Sequence, residues 1–255
     1  MRHFYTCILN YCFKYLQIMI SLHNLTKKYG EFTAVNDLSF NVKEGEILCL
    51  LGANGAGKST TINLLLNFIQ PTSGNAKING LDVVKSPIKT KSFLTYIPEN
   101  LMLYPTLTAL ENLDYFTKLS GKKFDAKELE MFLSESGLES NAHNNRVNTF
   151  SKGMRQKVGI ALAVAKQSKV LLLDEPTSGL DPKSSNEFIS LLNNMRNQGV
   201  AILMATHDLF RAKEISTHIG IMRSGELVNH SDTSALSLKE LETIYLDIMN
   251  FKNVS

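Results

Sequence analysis

Gly52-Ala53-Asn54-Gly55-Ala56-Gly57-Lys58-Ser59 is the stretch that decides the fold. It fits Gly-x-x-x-x-Gly-Lys-Ser/Thr, and Ile47-Leu48-Cys49-Leu50-Leu51 just before it reads as a short buried strand, the context that makes this pattern a phosphate-binding loop. In such a loop, successive backbone N–H groups point at phosphate oxygens. The glycines allow backbone angles that a side chain would block, and the following helix presents its positive end. Lys58 then binds the β- and γ-phosphates and Ser59 ligates Mg²⁺. Thr60, next in the first helical turn, completes the candidate phosphate-contacting set.

A chain of 255 residues with 44% hydrophobic residues has enough apolar surface for one large domain, with or without an inserted lobe. The net charge is only +3. Arg2 and Lys14 lie in the first eighteen residues with no acid to offset them; taking those two from the 27 basic residues leaves 25 against 24 acidic. No basic arm or stripe points to nucleic acid as a partner. Cys7, Cys12 and Cys49 have neither metal-ligand spacing nor accompanying histidines, and suit a reducing compartment. No uninterrupted apolar run approaches the roughly 18 residues of a membrane span.

Residues 1–18 are apolar and aromatic but are interrupted by Asn10, Lys14 and Gln17, with no cleavage site for a secretory signal. Met19 stands just before the first strand, so translation is expected to begin there. The alternative is a real extension, whose polar positions recur at the spacing of an amphipathic helix on a membrane surface.

From Ser21 to Val42 short β-rich segments alternating with turns are expected, forming a β layer ahead of an α/β core. The helix behind the loop runs from Ser59 to Phe68, and Leu94-Thr95-Tyr96-Ile97 is a strand closed by Pro98. Between about 100 and 165 the pattern turns helical, as in an inserted lobe. Val170-Leu171-Leu172-Leu173 and Val200-Ala201-Ile202-Leu203-Met204 are continuous apolar runs with a helix-length segment between them, as in a parallel sheet buried on both faces. Domain bounds of 19–230 follow, with a short tail over 231–255.

Asp174 and Glu175 end one of those strands, the edge where open α/β sheets bind ligands. Asp174 is placed to share Mg²⁺ with Ser59, and Glu175 to orient and deprotonate an attacking water. Further back, Phe150-Ser151-Lys152-Gly153-Met154-Arg155-Gln156 heads a helix that Ser151 can cap. Alone, that would mean only that a helix starts.

The set together resembles the ATPase subunit of ATP-binding cassette transporters, over roughly Met19 to Val228. Phe150-Ser151-Lys152-Gly153-Met154 is similar to the family signature, Ser178-Gly179-Leu180-Asp181 to its D-loop, and Ala205-Thr206-His207-Asp208 to its switch-histidine segment. The resemblance implies a head-to-tail dimer closing on two ATP molecules, each phosphate loop completed by the other subunit's signature helix. Ser151 and Gly153 then face the γ-phosphate across the interface with Asp181 nearby, His207 contacts it from the same subunit, and Tyr29 stacks on adenine. The second subunit is another copy or a paralogue, and a separately encoded membrane permease is the other partner. Other histidines, His143 among them, read as ordinary core or surface residues.

Two departures stand out. Glu99 replaces the family's usual glutamine, which contacts Mg²⁺ or water; a carboxylate can still serve as an oxygen ligand. In the signature, Lys152 replaces the first of two glycines and Met154 a glutamine, as in exporters with separate permeases. The leading expectation is therefore an exporter ATPase on the cytoplasmic membrane face, its permease docked near Glu99 to Phe116, where Leu101, Met102, Leu103 and Tyr104 are apolar. An importer ATPase and a soluble cassette ATPase acting on ribosomes or DNA are the alternatives. A P-loop kinase or GTPase leaves the later motifs unexplained.

Overall fold

The computed structural model describes residues 17–250. The first two strands, β1 (Ile18–Tyr29) and β2 (Phe32–Lys43), form one long antiparallel ribbon where shorter strands with turns were expected. The turn-like residues are bulges. Asn24 and Asp37 adopt positive φ, the register shifts around them, and Asn24 Nδ2 donates to Asp37 Oδ1 at 2.6 Å across the ribbon. Gln17 O accepts from Glu44 N–H at 2.9 Å, so the layer takes in residues ahead of Met19. The reading made for the segment before them lies outside the described residues.

The ribbon joins β4 (Ser73–Ile78) and β5 (Leu81–Asp82) in a four-stranded sheet of order β2-β1-β4-β5. The second sheet has order β10-β9-β3-β8-β7-β6. Its strands are β3 (Ile47–Leu51), β6 (Leu94–Ile97), β7 (Val170–Asp174), β8 (Ala201–Thr206), β9 (His218–Arg223) and β10 (Glu226–Asp232). All its pairs are parallel except the β9–β10 hairpin at one edge.

Alternate residues of the parallel strands enter two different cores, which is why those strands are apolar throughout. Leu48, Leu50, Leu172 and Leu203 face the antiparallel sheet and α1 (Lys58–Leu65), meeting Ile20, Leu25, Val35 and Ile62. Ile47, Cys49, Leu51, Leu171 and Ile202 face the other way, against Phe188 and Leu192 of α6 (Pro182–Asn197). Burial pushes the Cys49 thiol up to about 12.

After β5 and the short α2 (Pro87–Phe93), a helical lobe interrupts the sheet between β6 and β7. It comprises α3 (Ala109–Leu119), α4 (Ala126–Glu135) and α5 (Lys152–Lys166). Thr108 with Glu111, and Asp125 with Glu128, close capping boxes at α3 and α4. Leu113, Leu129, Leu133, Val158 and Ala161 form the lobe's own core. The opposite side of α5 buries Ile160 and Ala163 against the parallel sheet, so this one helix belongs to both units. His143 is buried in the lobe, its Nε2 3.1 Å from Leu138 O. Beyond the sheet, α7 (Leu209–Ile215) precedes β9, and α8 (Leu238–Asn250) carries Leu241, Ile244 and Ile248 against the second core. Among the described residues no helix is long and apolar enough to cross a membrane.

Candidate nucleotide site

The parallel register brings the loop after β3 beside the acidic end of β7, with β8 between them. Leu51 pairs with Thr206 and Asp174 with Ala205, while Gly52 N–H donates to Thr206 O at 3.3 Å. The loop's tightness shows at two glycines. Gly57 has φ +104°, and a Cβ there would lie 2.6 Å from Ala34 O; one at Gly52 would lie 2.5 Å from Met222 O. Neither position admits a side chain without moving backbone. Ala53 through Gly55 stay exposed, and Gly57 leads into α1.

Lys58 is 6% exposed, and its ammonium donates to Gly52 O at 2.6 Å and Ala53 O at 3.2 Å. Burial pulls this ammonium below its ordinary value, while Glu175 and Asp174 oppose the shift. Asp174 is moved the other way: burial raises its carboxyl, the Ser59 hydroxyl beside it lowers it, and the nearby Glu175 charge raises it again. With Ser59, Thr60 and Glu99, these groups line an open cavity of about 280 Å³, which Asn54, Gly55, Ala56 and Gly57 also face.

Glu175 has φ +45°, an uncommon backbone for a residue with a side chain, and its N–H donates to Ala205 O at 2.9 Å. That strained turn aims its carboxylate at three groups. Oε2 accepts from the Thr206 hydroxyl at 3.2 Å; Oε1 lies 3.8 Å from Lys58 Nζ and 2.9 Å from His207 Nδ1. Oε1 nonetheless has no donor aligned on it. His207 is more than half exposed, with its ring at the outer end of this chain of contacts.

The other expected residues lie apart from the cavity. Ser151 Oγ accepts from Met154 N–H at 3.2 Å as the N-cap of α5. Gly153 packs on α6, where a Cβ would stand 3.1 Å from Ser184 Cβ. Asp181 caps α6, accepting from Ser184 N–H at 3.0 Å, and the Ser184 hydroxyl holds its carboxyl below the ordinary range. Neither Ser151, Gly153 nor Asp181 lines the phosphate cavity of its own chain. Tyr29 ends β1 with its ring half exposed, under the Lys27 ammonium at 4.8 Å from the centroid. Its pairing partner across the hairpin, Phe32, is the aromatic residue that lines the cavity.

Sequence reasoning assigned no role to Phe32 or Thr206. Thr206 was visible only as one letter of the histidine segment; its role depends on the β8 register, which no local pattern reveals.

A P-loop cavity flanked by a strand-end carboxylate pair, beside an antiparallel sheet and an inserted helical lobe, defines an ATP-binding cassette ATPase. The ABC transporter family pattern matches residues 35–178, and the chain belongs to that family. It is similar to the linearmycin resistance ATP-binding protein LnrL of Bacillus subtilis, 35% identical over 82% of this chain and 68% of the relative. The bacitracin transport ATP-binding protein BcrA of Enterococcus faecalis is 33% identical over 93% and 77%. This chain spans only 37% of the probable multidrug protein YbhF of Escherichia coli, with 36% identity. Among solved structures, the cassette MJ0796 in a dimeric post-hydrolysis state with ADP and Pi is 28% identical, with TM-score 0.75 over 84% of this chain and 99% of that one. The chain is accordingly an ABC-type ATPase subunit that binds and hydrolyses ATP.

Proposed function

We propose that this ATPase drives a membrane exporter whose permease is a separate chain, sitting peripherally on the cytoplasmic face through that permease. The observation that carries the reading is the convergence of Lys58, Asp174 and Glu175 on one cavity, with His207 Nδ1 standing 2.9 Å from Glu175 Oε1. Relatives named for bacitracin transport and linearmycin resistance support the exporter direction.

Mg²⁺ fits the donors present. Among the described residues no group of three or more His, Cys, Asp or Glu side chains forms a ready metal cage. The cavity instead offers hard oxygen donors, the Ser59 hydroxyl and the Asp174 carboxylate, of the kind Mg²⁺ takes together with substrate phosphates and water. Three carboxylates, Asp174, Glu175 and Glu99, also face a cavity into which only Lys58 brings a positive charge among its lining residues. Ser59 and Asp174 would hold the ion, with Glu99 in reach, and bound there it neutralises charge on the phosphates.

The chain's own groups do the rest. Backbone N–H groups of residues 53–60 hold the β- and γ-phosphates, and Lys58 exchanges its loop carbonyls for phosphate oxygens. Glu175 takes the proton of the water that attacks the γ-phosphorus as the bond to the bridging β–γ oxygen breaks, leaving ADP and phosphate. His207 steadies Glu175 and contacts the γ-phosphate. Tyr29, half exposed outside the phosphate cavity beside Phe32, would stack on a base that extends beyond that cavity. Ser151, Gly153 and Asp181 act on the nucleotide of the other subunit, a second copy or a paralogue, since they lie away from their own cavity.

The permease docks on the segment between Glu99 and Phe116. Asn112, fully buried, clamps this loop: its amide accepts from Tyr104 N–H at 2.8 Å and donates to Tyr104 O at 3.1 Å. Met102 is left 82% exposed and Tyr104 46% exposed on a rigid base. Leu101 and Leu103 are half-buried. The test is to purify tagged Glu175→Gln protein from detergent-solubilised native cells and identify what accompanies it by mass spectrometry. A polytopic membrane protein is expected. Ribosomal or DNA-bound partners without one would contradict the reading.

A further inference from the structure

Glu99 and Lys152, the two charged residues read from the sequence as departures from the family resemblance, meet in the structure. Lys152 opens α5, and its ammonium donates to Ser178 O at 2.7 Å while standing 3.8 Å from Glu99 Oε1. The Ser178 hydroxyl closes the triangle, donating to the same Glu99 oxygen at 3.3 Å. A carboxylate that lines the phosphate cavity is thereby tied to two elements outside it. One is the first turn of the helix that carries Ser151 and Gly153; the other is the loop after β7.

The two sides of Glu99 pull differently. Toward the cavity it faces Asp174, a like charge that repels it and whose own carboxyl it helps to raise. Away from the cavity, Lys152 is its paired cation among the described residues. A divalent cation held by Ser59 and Asp174 reverses the first of these forces and makes the cavity side attractive. Glutamine and glycine at these two positions would carry neither charge, so the competition requires both Glu99 and Lys152.

We propose that Lys152 is a positioning residue that competes with the cavity's divalent cation for the Glu99 carboxylate, so that loading one subunit's cavity breaks the Glu99 tie to the start of its own α5 and leaves Lys152 on Ser178 O alone. The proposal rests on the reading that Glu99 lies within reach of the metal. Lys152 thus links the nucleotide state of one site to the helix end that serves the other.

The test measures Mn²⁺ binding to the ADP-loaded chain, with free Mn²⁺ read from its electron paramagnetic resonance signal. The four proteins are the native chain, Glu99→Gln, Lys152→Ala and the double variant. Glu99 is half exposed, and alanine at the first residue of α5 is compatible with the helix, so all four are expected to fold. Glu99→Gln should weaken Mn²⁺ binding. Lys152→Ala should tighten it about two- to fivefold, the range for a partly exposed ion pair. On the Glu99→Gln background the same lysine change should do nothing. If Lys152→Ala shifts affinity equally on both backgrounds, it acts as a distant charge and the proposal fails alone. If Glu99→Gln leaves affinity unchanged, the metal-site reading of Glu99 falls, and the proposal with it.

Discussion

Replacing Thr206 by valine keeps the shape of a side chain that is 1% exposed and deletes one hydroxyl. That oxygen donates to Glu175 Oε2 at 3.2 Å and accepts the Asp208 N–H at 3.0 Å. A hydrogen bond to a charged group contributes about 1.5–3 kcal/mol, and a buried donor left unpaired costs about 1–3 kcal/mol. The second loss, at a part-buried bond, lowers stability toward the small end of that range, while the first frees Glu175 Oε2 and leaves the carboxylate held by its strained turn and by the His207 and Lys58 contacts at Oε1. If the released restraint appears in the transition state, kcat falls roughly 10- to 100-fold. KM for ATP should stay within about twofold, because Thr206 does not line the phosphate cavity. Phosphate release measured against ATP concentration gives both constants, and a melting temperature well above that of the assay rules out unfolding. Thr206→Ser restores the hydroxyl and should recover most of kcat. A valine variant with native kcat, or a change confined to KM, would refute the idea that Thr206 aims Glu175.

Other outcomes follow from the same geometry. Gly57→Ala puts a Cβ 2.6 Å from Ala34 O at a φ of +104°, so nucleotide binding by calorimetry should be lost and the melting temperature should drop. Asp174→Asn should abolish hydrolysis yet stabilise the nucleotide-free protein. Burial raises the Asp174 carboxyl above its ordinary 3.8, so folding is penalised once that group ionises. Denaturant melts should therefore show no gain below the ordinary value and a gain that grows as pH rises through the raised one; a gain independent of pH would contradict the cause. Tyr104→Asp should leave ATP binding intact and weaken permease association about tenfold or more, measured by co-purification; unchanged association would move the docking surface elsewhere.

The parts legible in the sequence were those in which chemistry and spacing are local. The phosphate loop, the Asp174-Glu175 strand end and the Ser151 cap each fit within a few residues. The apolar runs of β3, β7 and β8 announced a sheet buried on both faces. The β1–β2 ribbon misled because Asn24 and Asp37 are good turn residues, and here they are positive-φ bulges inside continuous strands. Thr206 acts on Glu175 from 31 positions away through strand pairing, and Lys152 reaches Glu99 through the packing of the lobe on the sheet. Both contacts are set by register and docking, which leave no mark on neighbouring letters. Phe32 is a further case, since only the hairpin turn decides which of two aromatic residues faces the cavity.

The most direct test of the central claim, a site built from two subunits, mixes two inactive variants. Lys58→Ala removes the phosphate-loop cation, and Ser151→Arg blocks the end of α5 while leaving the cavity of its own chain untouched. In a head-to-tail dimer of one variant with the other, one site has both faults and the other has neither. An equal mixture should therefore regain roughly a quarter of native ATPase activity, since about half the dimers are mixed and each has one working site. If each variant is inactive alone and the mixture, shown to contain mixed dimers, stays inactive, the nucleotide site does not draw on the second subunit in this way.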